Sequence, residues 1–145
     1  MNDREGVEIL LVEDSDADAE MALRALRKGK VPAKVLRVRD GVEALEFLFG
    51  GAQPRSPAMG PKLVLLDLKM PRVGGIEVLR RIKSEEATRA IPVVIFTSSA
   101  EEQDVRDSYR LGANSFLVKP VDFPTFSEVI REAGSYWTQA NRLPH

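Results

Sequence analysis

Four short apolar runs in this chain each end in a side chain that can do chemistry. VEILLV at 7–12 runs into Glu13-Asp14, LVLL at 63–66 into Asp67, PVVIF at 92–96 into Thr97, and NSFLV at 114–118 into Lys119. Such runs suit strands of a parallel sheet, buried on both faces. In open α/β sheets ligands bind beyond the carboxyl ends of the strands, so the residue closing each run stands where a site forms. Three carboxylates meeting at one edge repel one another, and a hard divalent cation relieves that repulsion. Mg2+ suits the set best: it takes one or two carboxylates, keeps waters, and shares its remaining positions with phosphate oxygens. Thr97 and Lys119 add a hydroxyl and an ammonium, both donors to phosphoryl oxygens. The chemistry these residue types support is phosphoryl transfer to Asp67. A carboxylate nucleophile forms an acyl phosphate while metal and lysine neutralise the developing charge. Taken singly, Asp14 also reads as a helix cap, Thr97 as a loop hydroxyl and Lys119 as a surface charge. Their common place at strand ends favours the site.

The segments between must bring those ends together. Residues 15–30 carry Ala19, Ala22, Leu23 and Leu26 at amphipathic-helix spacing, with Asp16 and Asp18 in the first turn, where the helix dipole favours anions. Pro32 breaks that helix, and 33–38 (AKVLRV) alternates as a second, more exposed strand. Asp40 with Glu43 resembles a capping box for a helix that buries Ala44, Leu45 and Leu48. Pro71 stops the central strand, and Gly74-Gly75 turns the chain into a helix whose inner face is Ile76, Val78, Leu79 and Ile82. Ser99 with Glu102 repeats the capping-box pattern and predicts a helix through about Arg110, which offers the core little beyond Val105 and Tyr109. A last helix from near Asp122, with Pro124 in its first turn, presents Phe126, Val129, Ile130, Ala133 and Trp137. Strand and helix alternate five times, which predicts right-handed βαβ units. The expected fold is a five-stranded, doubly wound parallel α/β sheet in the order 2-1-3-4-5. The stretch 50–61 (GGAQPRSPAMGP) is too rich in Gly and Pro for regular structure and longer than the usual connection of about 4–6 residues. It reads as a surface loop or a partner contact.

Composition excludes several alternatives. With 21 basic and 22 acidic residues the net charge is -1, so no polyanion-binding surface is expected and nucleic acid is not a partner. No apolar run approaches the ~20 residues that span a bilayer, and no signal peptide is visible, so a cytoplasmic protein without membrane attachment is expected. The chain has no cysteine, which removes disulfides, thiol catalysis and thiolate metal sites. Its one histidine is His145, which argues against a histidine-based triad or zinc site. At 145 residues one domain is expected, spanning 1–145 with its core at about 7–140 and no output domain.

The chain resembles the receiver domain of two-component response regulators along nearly its whole length. The resemblance is carried by Val12-Glu13-Asp14, Leu65-Leu66-Asp67-Leu68-Lys69-Met70-Pro71, Phe96-Thr97-Ser98 and Val118-Lys119-Pro120, and by the interval of 22 residues from Thr97 to Lys119. It implies that Asp67 is the phosphoacceptor for a histidine kinase and that Asp14 and Asp67 bind Mg2+ with the Lys69 backbone carbonyl, Glu13 acting mainly through water. It further implies that Thr97 and Lys119 hold phosphoryl oxygens, that Lys119-Pro120 is a cis peptide, and that Phe116 is the switch aromatic. Glu13 stands where the family commonly has Asp, and Phe116 where many members have Tyr. Phe116 also reads as ordinary packing. Within the family the chain is similar to single-domain regulators paired with bacterial phytochromes, through the 50–61 excursion and the long final helix with Tyr136-Trp137. That likeness implies a bacteriophytochrome kinase as partner, a downstream protein target, and a homodimer to which Tyr109, Phe116 and Trp137 contribute. Trp137 equally reads as core. Such a chain assists its own phosphorylation and hydrolysis but is not an enzyme with a separate substrate.

Three competing readings fit these residues less well. A haloacid-dehalogenase-type phosphotransferase also uses a strand-end Asp, but it resembles D-x-D there, and Lys69 takes the second position. A flavin or nucleotide carrier needs a Gly-rich loop after the first strand, where Glu13-Asp14 stands instead. A receiver that never accepts phosphate would not need Asp14, Asp67, Thr97 and Lys119 together.

Overall fold

A computed structural model describes residues 6–28, 33–50 and 60–144. Strands β1 (Ile9–Val12), β2 (Val35–Val38), β3 (Leu63–Leu66), β4 (Val93–Thr97) and β5 (Ser115–Val118) are parallel and stand in the order β2-β1-β3-β4-β5, as expected. Helices α1 (Asp16–Arg27), α2 (Gly41–Phe49), α3 (Gly75–Ser84), α4 (Glu102–Arg110) and α5 (Phe123–Ser135) alternate with them.

Period-two alternation sorts each central strand onto two faces. Leu10, Val12, Val64, Leu66, Val93 and Ile95 pack with Phe47 and Leu48 of α2 and with Val78, Leu79 and Ile82 of α3. Ile9, Leu11, Leu63, Leu65, Val94 and Phe96 pack with Ala19, Ala22 and Leu26 of α1 and with Phe126 and Ile130 of α5. Phe96 meets Phe126 edge to face at 5.0 Å between centroids, a geometry worth about 0.5–1.5 kcal/mol beyond the area it buries. β1 and β3 are wholly buried, which is why they read as continuous apolar runs.

Register places the site. Val12 pairs with Leu66, so Glu13 and Asp67 leave the sheet side by side. Thr97 pairs with Val118, and the Lys119 N–H donates to the Thr97 carbonyl at 2.7 Å. The segment after Asp67 is locked to the start of α2. Gly41 N–H donates to Val73 O at 3.1 Å, and the Arg72 guanidinium reaches Asp40 Oδ2 at 2.6 and 2.7 Å. Arg72 does this from a left-handed backbone (φ 67°), a conformation that costs a non-glycine residue about 1–2 kcal/mol.

Several sequence expectations are corrected. α1 closes at Arg27 with Lys28 as its cap; Pro32, most of the 50–61 stretch and His145 lie outside the described residues. α4 begins at Glu102 and not at Ser99. The Ser99 hydroxyl donates to Asp104 Oδ2 at 2.6 Å, and no side chain caps the helix. Asp40 caps α2 as expected, accepting from Glu43 N–H, but the Glu43 carboxylate takes the Arg39 N–H, so the reciprocal half of the box is shifted by one residue. Tyr109 is exposed, leaving Ser108 as the one fully buried residue of α4. The Lys119-Pro120 peptide is trans, and no described peptide is cis. An X–Pro bond favours trans by about 0.5–1 kcal/mol, and the Lys119 ammonium reaches three carboxylates from that geometry. Trp137 lies in a π-helical turn (Tyr136–Ala140) that extends α5, partly buried against the α1–α5 core, which bears out its reading as packing.

Candidate functional site

The carboxyl edge of the sheet gathers Glu13, Asp14, Asp67 and Lys119. Glu13, Asp14 and Asp67 each offer a carboxylate oxygen within 4.8 Å of the others. Two unit charges at that separation repel by about 1 kcal/mol in water and several times more near a protein interior, so the trio needs a counter-cation. Glu13 and Asp67 are buried, whereas Asp14 faces solvent. Exposure of Asp14 leaves a way in for a hydrated ion.

Lys119 supplies the cation now present. Its Nζ lies 2.7 Å from Glu13 Oε1, 2.8 Å from Asp18 Oδ2 and 3.1 Å from Asp67 Oδ2, with only 8% of the side chain exposed. Burial alone would lower the Lys119 ammonium. Hydrogen bonds to Asp18 and Glu13, with the charges of Glu13 and Asp67, outweigh it and hold the group charged well above the ordinary lysine range. Burial pushes the Glu13 carboxyl up to about 7, against the pull of the Lys119 hydrogen bond and charge. The Ser15 N–H on Glu13 Oε2 at 3.1 Å fixes the other oxygen.

Thr97 is fully buried at the end of β4, its Oγ1 accepting from Ser99 N–H at 3.4 Å. Lys69 follows Asp67 by two residues, with its N–H 3.4 Å from Asp67 Oδ1 and its ammonium turned outward, 3.4 Å from Asp104 Oδ2. Phe116 is partly buried, packed against the α2–α3 core and paired with Ile95.

Sequence reasoning missed three participants. Asp18 was read only through the helix dipole, yet it grips Lys119 across 101 residues of chain. Arg37, on β2, donates to the Glu13 carbonyl at 2.9 and 2.7 Å and pairs with Asp16 at 2.9 Å, fixing the loop that carries the acidic pair. A charged residue inside an otherwise apolar strand was the available signal. Asp104 gathers Ser99 and Lys69 from the two loops beside Asp67; nothing in its spacing marked it.

The donor set fits a hard divalent cation: all carboxylate, clustered, with one member open to solvent. Among the described residues no helix is long and apolar enough to cross a membrane.

Comparisons with known proteins bear on the family and the fold. The response regulator receiver domain family matches residues 9–131. Over 94% of its length the chain is 40% identical to a probable methanogenesis regulatory protein, FilR2, of Methanothrix harundinacea, covering 86% of that protein. It is 37% identical to the response regulator Rcp1 of Synechocystis, over 94% of this chain and 92% of that one. The Mn2+-bound structure of Rcp1 superposes with a TM-score of 0.84 at 35% identity, covering 94% and 98% of the two chains. The phosphorylated cyanobacterial phytochrome response regulator RcpA also gives 0.84, at 34% identity over 94% and 97%.

Proposed function

The chain belongs to the response regulator receiver family, and from that premise we propose that it is a phosphorylation-activated response regulator with Asp67 as its phosphoacceptor. The observation that carries the reading is the Lys119 ammonium joining Asp67 Oδ2 and Glu13 Oε1 beside an acidic trio at the end of β3. A histidine kinase donates the group. An Asp67 carboxylate oxygen attacks phosphorus, the P–N bond of the phosphohistidine breaks, and the imidazole keeps the bonding electron pair and takes up a proton. Mg2+, held by Asp14, Asp67 and the Lys69 carbonyl with Glu13 acting through water, supplies charge neutralisation when bound. Lys119 already lies on Asp67 and needs only a small shift to follow the negative charge onto the phosphoryl oxygens. The buried Thr97 hydroxyl, whose oxygen accepts from Ser99 N–H, donates its O–H to a phosphoryl oxygen, and Phe116 moves inward behind it.

The added group brings about −1.5 to −2 charges, by analogy with a phosphate monoester, and biases a two-state element. That element is α4 with β5. Its neighbourhood exposes Tyr109, Val118, Val121 and Phe123, and altered protein–protein interaction there, homodimerisation included, is the output. The likeness to RcpA favours a phytochrome-type kinase in the cytoplasm as the input.

Intact mass after incubation with acetyl phosphate and Mg2+ tests the chemistry. A phosphate-sized gain is expected, lost in Asp67→Asn and in EDTA. If neither acetyl phosphate nor a phosphorylated histidine kinase produces a gain in folded protein, the reading fails. Size exclusion of the two forms then reports on dimerisation.

A further inference from the structure

Lys119 has three N–H donors and three carboxylate partners, yet only two of these, Glu13 and Asp67, belong to the acidic trio. The third, Asp18, stands on the first turn of α1, its side chain 30% exposed. Its backbone is fixed there, since Asp18 N–H donates to the cap Ser15 Oγ at 3.2 Å and α1 is seated on the sheet through Ala19 and Ala22. The other acid of that turn, Asp16, turns to Arg37 and Arg39 instead. Asp18 therefore does more than complement the helix dipole. An incoming divalent cation and the Lys119 ammonium contend for the same two carboxylates. A displaced, buried ammonium with no other anion would be repelled by the cation and left without acceptors, and either cost opposes metal entry.

We propose that Asp18 is a positioning residue for Lys119: it supplies the carboxylate that keeps the ammonium at the site when Glu13 and Asp67 turn to a divalent cation. The inference deepens the reading of this edge as a metal-assisted phosphoacceptor site and rests on it. Lys119 pivots about its bond to Asp18, releases Glu13 to the water around the metal, and stays within reach of the group arriving on Asp67. Asp18 touches none of the reacting atoms; it acts through the lysine.

A double-mutant cycle tests this, with Mg2+ affinity read by titration calorimetry in the full chain. Asp18→Ala is expected to weaken Mg2+ about five- to tenfold, and Asp18→Asn, which keeps an acceptor oxygen without the charge, to fall between. In a Lys119→Met background the same Asp18→Ala change should move affinity by no more than about twofold. Equal losses in both backgrounds would mean that Asp18 acts as a through-space charge or merely supports α1, and would overturn the proposal. So would an unchanged affinity in the single variants. Melting temperatures taken in parallel identify a variant whose loss follows unfolding, and Asp18→Asn keeps the test alive if Asp18→Ala folds poorly. A wild-type chain that binds no Mg2+ overturns both this proposal and the metal reading. Mg2+ binding with the expected coupling, but no phosphoryl uptake, defeats the phosphoacceptor reading alone.

Discussion

At the scale of single residues, Glu13 and Lys119 meet at 2.7 Å but answer pH in different windows. Burial raises the Glu13 carboxyl from an ordinary 4.5 to about 7 in the folded chain. The folded state thus binds this proton more tightly than the unfolded state does. The associated stability is fully present below 4.5 and is lost as pH rises through about 7. Lys119, raised above its ordinary 10.5, keeps its contribution throughout that window and loses it only at far higher pH. Urea denaturation in EDTA at about pH 5 and about pH 8 should therefore show wild type losing stability relative to Glu13→Gln, which carries no titrating group there. A difference between the two proteins that stays constant across that range would mean Glu13 ionises with an ordinary carboxylate affinity. The types and order of the reacting residues were legible because each closes an apolar run; Asp67 after LVLL is the clearest. Asp18 was not, because its partner is 101 residues away and a first-turn acid has a sufficient local explanation in the dipole.

At the scale of elements, the sharpest constraint is the turn from β3 into α3. A Cβ on Gly75 would lie 2.2 Å from the Asp67 carbonyl oxygen and 2.8 Å from Leu68 Cα. Both are backbone atoms, and neither can yield without moving the phosphoacceptor. Gly75 N–H also donates to Leu68 O at 3.0 Å, so α3 starts within reach of the strand it follows. Gly74 is different: the nearest atom to a Cβ there is Leu68 O at 3.4 Å, an ordinary contact. Gly75→Ala should cost about 2–3 kcal/mol of unfolding free energy by urea titration, in the upper range for overpacking. Gly74→Ala, losing only a mild helix-start preference, should cost less than about 1 kcal/mol. Equal costs would mean that the pair serves chain flexibility and not close approach. Sequence pattern predicted a glycine turn here but could not say which glycine is pressed against backbone. The same limit explains Ser99. Its spacing to Glu102 matches a capping box, yet Asp104 captures its hydroxyl, and propensity yields to a tertiary partner.

At the scale of the whole molecule, α4 is the α-helix that buries least, yet its first turn is tied to the loops beside the site. α3 buries Gly75, Val78, Leu79 and Ile82, whereas α4 buries only Ser108, whose Oγ has no hydrogen-bond partner among the described residues. An unmade buried hydrogen bond costs about 1–3 kcal/mol, so α4 gains little by staying docked. Its first turn is nevertheless fastened to the reacting edge, through Asp104 to Ser99 at 2.6 Å and to Lys69 at 3.4 Å, and Ser99 N–H in turn reaches Thr97 Oγ1. A helix with weak packing and strong ties to the site responds to a charge change that leaves α1 and α3 in place. Native-state amide exchange should find α4 opening at a lower free energy than α1 or α3 before phosphorylation. After acetyl phosphate and Mg2+, the change in exchange should concentrate in α4 and β5, absent in Asp67→Asn. Asp104→Asn should reduce the phosphorylation-dependent change in α4 while leaving phosphoryl uptake by mass intact, because it loosens the tie without touching Asp67, Thr97 or Lys119. A response concentrated in α1 and α3, with α4 unmoved, would remove α4 from the switch.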